Sequence, residues 1–304
     1  MDTSLHWYRI YGNVLCSQVE LPQLLSDEEG KADIELVLMP IERKTEKLTD
    51  CFVDKVTKER IYFCNQVGVF EITEGRRIAI WPNPDVTLDK MTPFVLGYGM
   101  AMLFWQRGMH AIHCSAVECD GKAILIAGYS GSGKSTLTTC LLDNGFRLVA
   151  DDVAILKSRQ GEKVTVYPAF PQQKLCRDAV VRNKYDVKEL WYIDEDKDKF
   201  AVARRDNFCE NESELAGIVF LGVNPDAEQV ECCELKGHSK LITLLENHFL
   251  FPMFRQNQVF STEDMSCCLW IAQSVPMYSI RRPEGIDSTQ EQMRYIKEKI
   301  MTLP

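Results

Sequence analysis

Eight residues near the middle of the chain carry its clearest chemistry: Gly128, Tyr129, Ser130, Gly131, Ser132, Gly133, Lys134 and Ser135. They fit the pattern G-x-x-x-x-G-K-[ST], a loop that cradles phosphate. Its glycines let backbone N–H groups converge on phosphate oxygens where a Cβ would collide, and a following helix adds partial positive charge at its N-terminus. Lys134 brings a point charge to β- and γ-phosphates, and the Ser135 hydroxyl is placed to ligate Mg²⁺. With Thr136 as the next polar residue, the expected ligand of this segment is a nucleoside triphosphate.

A second group follows one helix later. Residues 146–150 form an apolar run broken only by Arg147, and Asp151 and Asp152 stand at its end. In open α/β sheets ligands bind beyond the C-terminal ends of the strands. One acid there can hold Mg²⁺, and its neighbour can take a proton from an attacking hydroxyl. Upstream, His113 precedes a short β-rich run at 115–117, with His110 as an equally available alternative.

These side chains need elements to hold them. Residues 123–127 read as a buried strand before the loop. Residues 136–144 read as a helix after it, with Leu137, Cys140 and Leu141 on one face and Asn144 with Gly145 as its stop. Residues 115–117 would pair with 123–127 through a turn at 118–122. After residue 108 strands and helices are expected to alternate, as in an α/β domain. Residues 215–223 read as a buried strand, 240–251 as an amphipathic helix, and Ser288 to Glu291 as a capping box opening a last helix at 290–301.

The first part of the chain reads differently. β-rich runs at 7–10, 34–39, 52–53, 61–64, 67–72 and 78–81 are separated by turn segments such as 26–31 and 82–85. A buried helix is expected over 91–106 despite Gly97 and Gly99. The resulting division is a β-rich N-terminal domain at 1–105 and an α/β domain at 106–304. The charged stretch 194–199 reads as a solvated loop. Lys174, Arg177, Lys199, Arg204 and Arg205 could contact phosphate or an acidic peptide end, although each taken singly reads as a solvated charge.

Composition excludes several classes. The chain has 304 residues, 35 Lys+Arg and 44 Asp+Glu, a formal net charge of −9 with no long basic block, which argues against a general nucleic-acid binder. Its longest apolar stretch, 93–105, is short of the roughly 18–20 residues that span a bilayer. The N-terminal residues have neither a cationic nor an apolar signal region, so a cytoplasmic protein away from membranes is expected. The 12 cysteines form no C-x-x-C pair; the doublets Cys232–Cys233 and Cys267–Cys268 read as reduced thiols and not as a metal site.

From His113 to Val153 the chain resembles the catalytic domain of HPr kinase/phosphorylase. That core reads His, a short hairpin, G-x-S-G-x-G-K-S, a helix, then R-L-x-A-D-D, matched here by His113, by Gly128 to Ser135, and by Arg147, Leu148, Ala150, Asp151 and Asp152. The resemblance implies a P-loop kinase fold related to ATP-dependent phosphoenolpyruvate carboxykinase, using ATP and Mg²⁺. It implies Asp151 as the base toward an acceptor hydroxyl with His113 supporting it, Asp152 and Ser135 on Mg²⁺, and Lys134 on the phosphates. It also implies a homo-oligomer. The E-x-R-G-x-G signature of the bifunctional enzymes is absent, and Tyr167 to Arg177 stands in its neighbourhood, so the resemblance does not extend to phosphorylase activity or to HPr as acceptor. Tyr8 to Gly12 and Val19 to Leu24 are similar to a divergent group associated with modified-peptide biosynthesis, including lasso-peptide kinases that phosphorylate a precursor serine.

The expectation is an ATP- and Mg²⁺-dependent kinase acting on a serine of a peptide or protein. A nucleotide-binding regulator without phosphotransfer and a small-metabolite kinase are the alternatives. Lys134→Ala should greatly weaken productive ATP·Mg binding, measured by calorimetry and turnover; unchanged turnover would remove the phosphate-loop assignment.

Overall fold

The computed structural model describes residues 4–40, 52–54, 56–84, 86–194 and 198–301. Its first sheet has eight strands in the order Leu25–Ser26, His6–Ile10, Asn13–Ser17, Ile34–Leu38, Arg77–Pro82, Gly68–Thr73, Arg60–Asn65, Phe52–Asp54. Alternation explains strands such as Gly68–Thr73, where Gly68, Phe70 and Ile72 are buried and the residues between them half-exposed. Each β-rich run expected here falls on a strand, whereas Asn13–Ser17 and Leu25–Ser26 lack a run that marks them. The hairpin from His6–Ile10 to Asn13–Ser17 turns through Tyr11 (φ +49°) and Gly12 (φ +69°). Left-handed backbone at both positions is what a tight type I′ turn requires.

Leu88–Phe94 continues through a π turn, Val95–Gly99, into Met100–Gln106. This is the helix expected over 91–106, begun one turn earlier; Pro93 removes an internal donor just where the helix widens. Met100 to Trp105 are all buried, so the helix is enclosed by protein. One apolar cluster joins it to Ile78 and Ile80 of the first sheet and to Ala111, Ile155 and Met277 of the second.

The second sheet runs Arg147–Ala150, Cys114–Cys119, Lys122–Gly128, Ser213–Val223, Thr165–Tyr167, Ala154–Lys157, His110–Ile112, with Met277–Arg282 beside Ser213–Val223 and Glu231–Glu234 at its flank. The alternation of strand and helix expected after residue 108 forms only in part: Lys122–Gly128 leads into a helix and on to Arg147–Ala150, and helices separate Glu231–Glu234 from Met277–Arg282, but other strands succeed one another. His110–Ile112, Cys114–Cys119 and Lys122–Gly128 follow one another directly, because Asp120 and Gly121 (φ +53° and +78°) close a two-residue hairpin that leaves no room for a helix. Ser213–Val223 lies parallel to both Lys122–Gly128 and Met277–Arg282.

This register sets up the site. Cys114–Cys119 lies antiparallel between Lys122–Gly128 and Arg147–Ala150, so those two strands share a direction and end at the same edge. The strands Ser213–Val223 and Met277–Arg282 end there too. A third, small sheet of Gln172–Cys176, Lys199–Ala203 and Trp191–Asp194 has its own core of Leu175, Ala179, Val180, Phe200 and Val202. Within the stretch 194–199 expected as a loop, residues 195–197 lie outside the described residues, as does Asp85 of the expected turn 82–85.

Two helices differ from expectation. The helix expected over 240–251 stops at Glu246, and a separate one, Phe251–Gln256, begins with Pro252 in its first turn. Residues 247–249 are captured by the edge of His110–Ile112: His113 N donates to Asn247 O (2.8 Å) and Phe249 N to Ala111 O (2.9 Å). The last helix, Thr289–Ile296 with a π turn Lys297–Met301, opens without the expected capping box. Asp287 instead accepts from Thr289 N and Oγ1, while Gln292 donates to the Ser288 hydroxyl. A capping box does form at Ser261 and Asp264, ahead of Thr262–Ser274. His110 is a core residue, with Nδ1 3.2 Å from Nε2 of buried His248. No helix among the described residues is long and apolar enough to cross a membrane.

Candidate nucleotide and acid-pair site

Lys122–Gly128 delivers the phosphate loop to the sheet edge, and Lys134–Asp143 carries the chain away as a helix that begins two residues before the expected 136. A Cβ on Gly128 (φ +139°) would run into the Leu221 carbonyl of the parallel neighbour, and Gly133 (φ +105°) caps the helix in a conformation that suits only glycine. Lys134 Nζ lies across the loop, donating to the carbonyls of Gly128 and Tyr129. Ser132 Oγ is buried with no hydrogen-bond partner. Left-handed glycines at the N-terminus of the following helix, with no space for a Cβ at Gly128, fit an anionic oxygen. Arg282, at the end of Met277–Arg282 one strand further on, donates to the carbonyls of Ser132 (3.1 Å) and Gly131 (3.2 Å) and so braces the loop.

Asp151 and Asp152 sit where Arg147–Ala150 ends, opposite the start of Cys114–Cys119. That register brings Ser115 to Asp151: its hydroxyl donates to Oδ1 at 2.5 Å, while Lys174 N donates to Oδ2 at 2.7 Å. Asp152 has φ +75°, an uncommon backbone that aspartate tolerates better than most residues. The Lys174 ammonium donates to Asp152 Oδ2 at 2.6 Å. His113 meets the pair at Asp152, with Nδ1 3.0 Å from its carbonyl oxygen and 3.8 Å from its carboxylate.

The two carboxyls are pushed apart. Burial raises the Asp151 pKa, and the bonds from Lys174 N and Ser115 offset this only in part. Burial pushes Asp152 upward as well, but the Lys174 charge and hydrogen bond override it, helped by the Lys199 charge, and hold that carboxyl well below the usual range. Burial lowers the His113 pKa against the attraction of Asp152, which favours a neutral imidazole. Burial, then the charge of Lys199, lowers the Lys134 pKa. Opposed environments for neighbouring acids are how one site keeps an ionised ligand beside a proton acceptor.

A cleft of about 850 Å³ gathers most of the residues expected from sequence: His113, Ser130, Gly131, Gly133, Lys134, Ser135, Thr136, Asp151 and Asp152 all border it. Gly128 and Ser132 belong to the loop but do not border the cleft. Ser135 Oγ donates to Lys174 O at 3.3 Å, and with the Asp152 carboxylate it offers the hard oxygens that Mg²⁺ takes. Lys174, Lys199 and Arg282 also border the cleft. Of these, Arg282 carries no sequence signal, since only strand pairing brings it to a loop 150 residues away. Lys174 is mostly buried and paired, not a solvated charge. Arg177 is an exposed partner of Asp198, Arg204 binds Gln173 and Tyr185, and Arg205 donates to the carbonyls of Pro22 and Leu24.

The chain is similar to HPr kinase/phosphorylases over part of its length. That of Chlorobaculum tepidum is 32% identical over 82 residues, 27% of this chain and 22% of the relative. That of Chlorobium phaeobacteroides is 41% identical over 54 residues, 18% of this chain and 16% of the relative. The matched portion thus spans about a fifth of these relatives' length. No protein-family model matches the chain. Among solved structures, the HPr(Ser) kinase/phosphatase of Coxiella burnetii aligns with 62% of this chain and 88% of its own, at 14% identity and a TM-score of 0.30.

The depressed Asp152 pKa gives a stability prediction. Its contribution is fully present above the unfolded carboxyl value of about 3.9 and is lost as pH falls through the lower folded value. Lys174→Met should cost roughly 1–3 kcal/mol in urea unfolding at pH 7, with the gap to wild type narrowing below about pH 4. A gap independent of pH would mean that the pair does not hold Asp152 ionised.

Proposed function

We propose that the chain is a P-loop kinase that binds ATP with Mg²⁺ in this cleft. It transfers the γ-phosphoryl group to a serine hydroxyl of a peptide or protein, a ribosomal precursor peptide fitting the N-terminal motifs. The catalytic unit of this reading is residues 106–304, acting in the cytoplasm. One observation carries it: an unequal pair of carboxyls, buried Asp151 and half-buried Asp152, bordering the same cleft as a phosphate loop. The partial similarity to HPr kinase/phosphorylases supports it.

Loop amides and Lys134 would bind the β- and γ-phosphates and spread their charge. Bound Mg²⁺, held by Ser135 and Asp152, would neutralise charge developing on the bridging oxygens. The rest falls to the chain's own groups. Asp151, oriented by Ser115 and the Lys174 amide, accepts the proton of the acceptor hydroxyl. The hydroxyl oxygen forms a bond to the γ-phosphorus, the bond to the β–γ bridging oxygen breaks with its electron pair on ADP, and the proton rests on Asp151. Lys174 keeps Asp152 ionised, and neutral His113 steadies the Asp152 carbonyl from the opposite side.

Asp151→Asn should lower transfer of labelled γ-phosphate by roughly 10²–10⁴ while leaving ATP affinity nearly intact. Wild type and variant would be assayed side by side with Mg²⁺ on cell extract and candidate precursor peptides. If affinity collapsed together with transfer, Asp151 would be a metal ligand and not the base. Tight ATP binding by wild type with no labelled product in any fraction would favour a nucleotide-binding regulator.

A further inference from the structure

Asp151, Asp152 and Lys174 border a second cavity, of about 40 Å³, whose other walls share no residue with the cleft. Those walls come from the N-terminal segment, from the helix and from Val153, Phe170, Gln172 and Ile193, the last two on strands of the third sheet. The hairpin turn contributes Tyr11, the segment after it Gln23, and the helix Thr92 and Leu96, with Phe170 closing the far side. Tyr11 and Gln23 lie in the two short N-terminal motifs, neither of which the phosphate site uses.

The hairpin is fastened in place. Tyr11 N donates to Pro168 O at 2.7 Å, and the Tyr11 phenol donates to Val153 O at 3.0 Å, one residue beyond Asp152. Its ring packs edge-on against Phe104 with centroids 5.1 Å apart. Tyr11 is buried at the first position of the left-handed turn, so its ring is held inside the protein while its backbone closes the hairpin. Arg205 adds a second tie, to the carbonyls of Pro22 and Leu24 on either side of Gln23.

Phosphoryl transfer needs the attacking oxygen and the leaving oxygen on opposite sides of phosphorus. A base that touches two cavities, one holding the phosphate loop, meets that need. The smaller cavity has room for roughly three water-sized groups. That admits a hydroxymethyl group and excludes an aromatic ring or a sugar. We propose that this cavity is the acceptor subsite, which takes the hydroxymethyl side chain of a peptide serine between the Tyr11 hairpin, Gln23 and Thr92 and presents it to Asp151. The proposal rests on the kinase reading and extends its site beyond residues 106–304, since Tyr11, Gln23, Thr92 and Leu96 line the acceptor side.

The test uses the full chain with labelled ATP and Mg²⁺, and N-acetyl-serine methylamide and N-acetyl-tyrosine methylamide as acceptors. The serine amide should be labelled at least about 100-fold faster than the tyrosine amide. Gln23 and Thr92 are half-exposed, so their replacement spares the core. Thr92→Phe should lower kcat/KM for the serine amide at least about 30-fold, and Gln23→Ala should raise its KM at least about 5-fold, with Mg·ADP affinity in both variants within about 2-fold of wild type. Equal labelling of the two amides, or unchanged acceptor kinetics in both variants, would overturn the subsite. So would turnover of ATP on protein or water with neither amide labelled. No turnover on any acceptor would instead remove the kinase reading on which the subsite stands.

Discussion

The 2.6 Å bond from the Lys174 ammonium to the Asp152 carboxylate joins the third sheet to the edge of the second, and the chemistry of the cleft depends on it. Lys174 acts twice. Its side chain keeps Asp152 ionised, and its backbone amide holds Asp151, whose burial drives the other way. Without that strand, two adjacent acids, one buried and one half-buried, would compete for one proton and neither would have a defined task. Gln173, next to Lys174, is bonded to Arg204 and to the first turn of the loop helix, so the strand is fixed to the phosphate side as well.

The register of the second sheet makes this possible. Two strands of common direction flank an antiparallel one, so the loop glycine, the acid pair and Ser115 arrive at one edge from three separate runs of sequence. The parallel neighbours bring Leu221, whose carbonyl leaves no space for a Cβ on Gly128, and Arg282, which braces the loop carbonyls. The buried helix Met100–Gln106 then seats the first sheet against this edge, which puts the Tyr11 turn beside Val153.

What the sequence reveals is what is local. The loop glycines with Lys134 and Ser135, the acid pair after its strand, and the Asp120–Gly121 hairpin are each written in a few consecutive residues. Arg282 and Ser115 gain their meaning only from pairing between distant strands, and although Lys174 and Tyr11 stand out in the sequence, their partners Asp152 and Val153 do not. The same limit explains the misplaced helix end at 246. Its apolar spacing runs on, but the open edge of His110–Ile112 draws residues 247–249 into backbone pairing. It explains the missing box at Ser288 as well, where Asp287 makes the stronger local bonds to Thr289.

The unequal carboxyls are the centre of the account, and a carboxyl ¹³C NMR titration of aspartate-labelled protein tests them most directly, with Asp151→Asn and Asp152→Asn assigning the two signals. The account predicts that Asp151 titrates above the ordinary value of about 3.9 and that Asp152 titrates below it. Two carboxyls titrating together near that value, or in the reverse order, would contradict it.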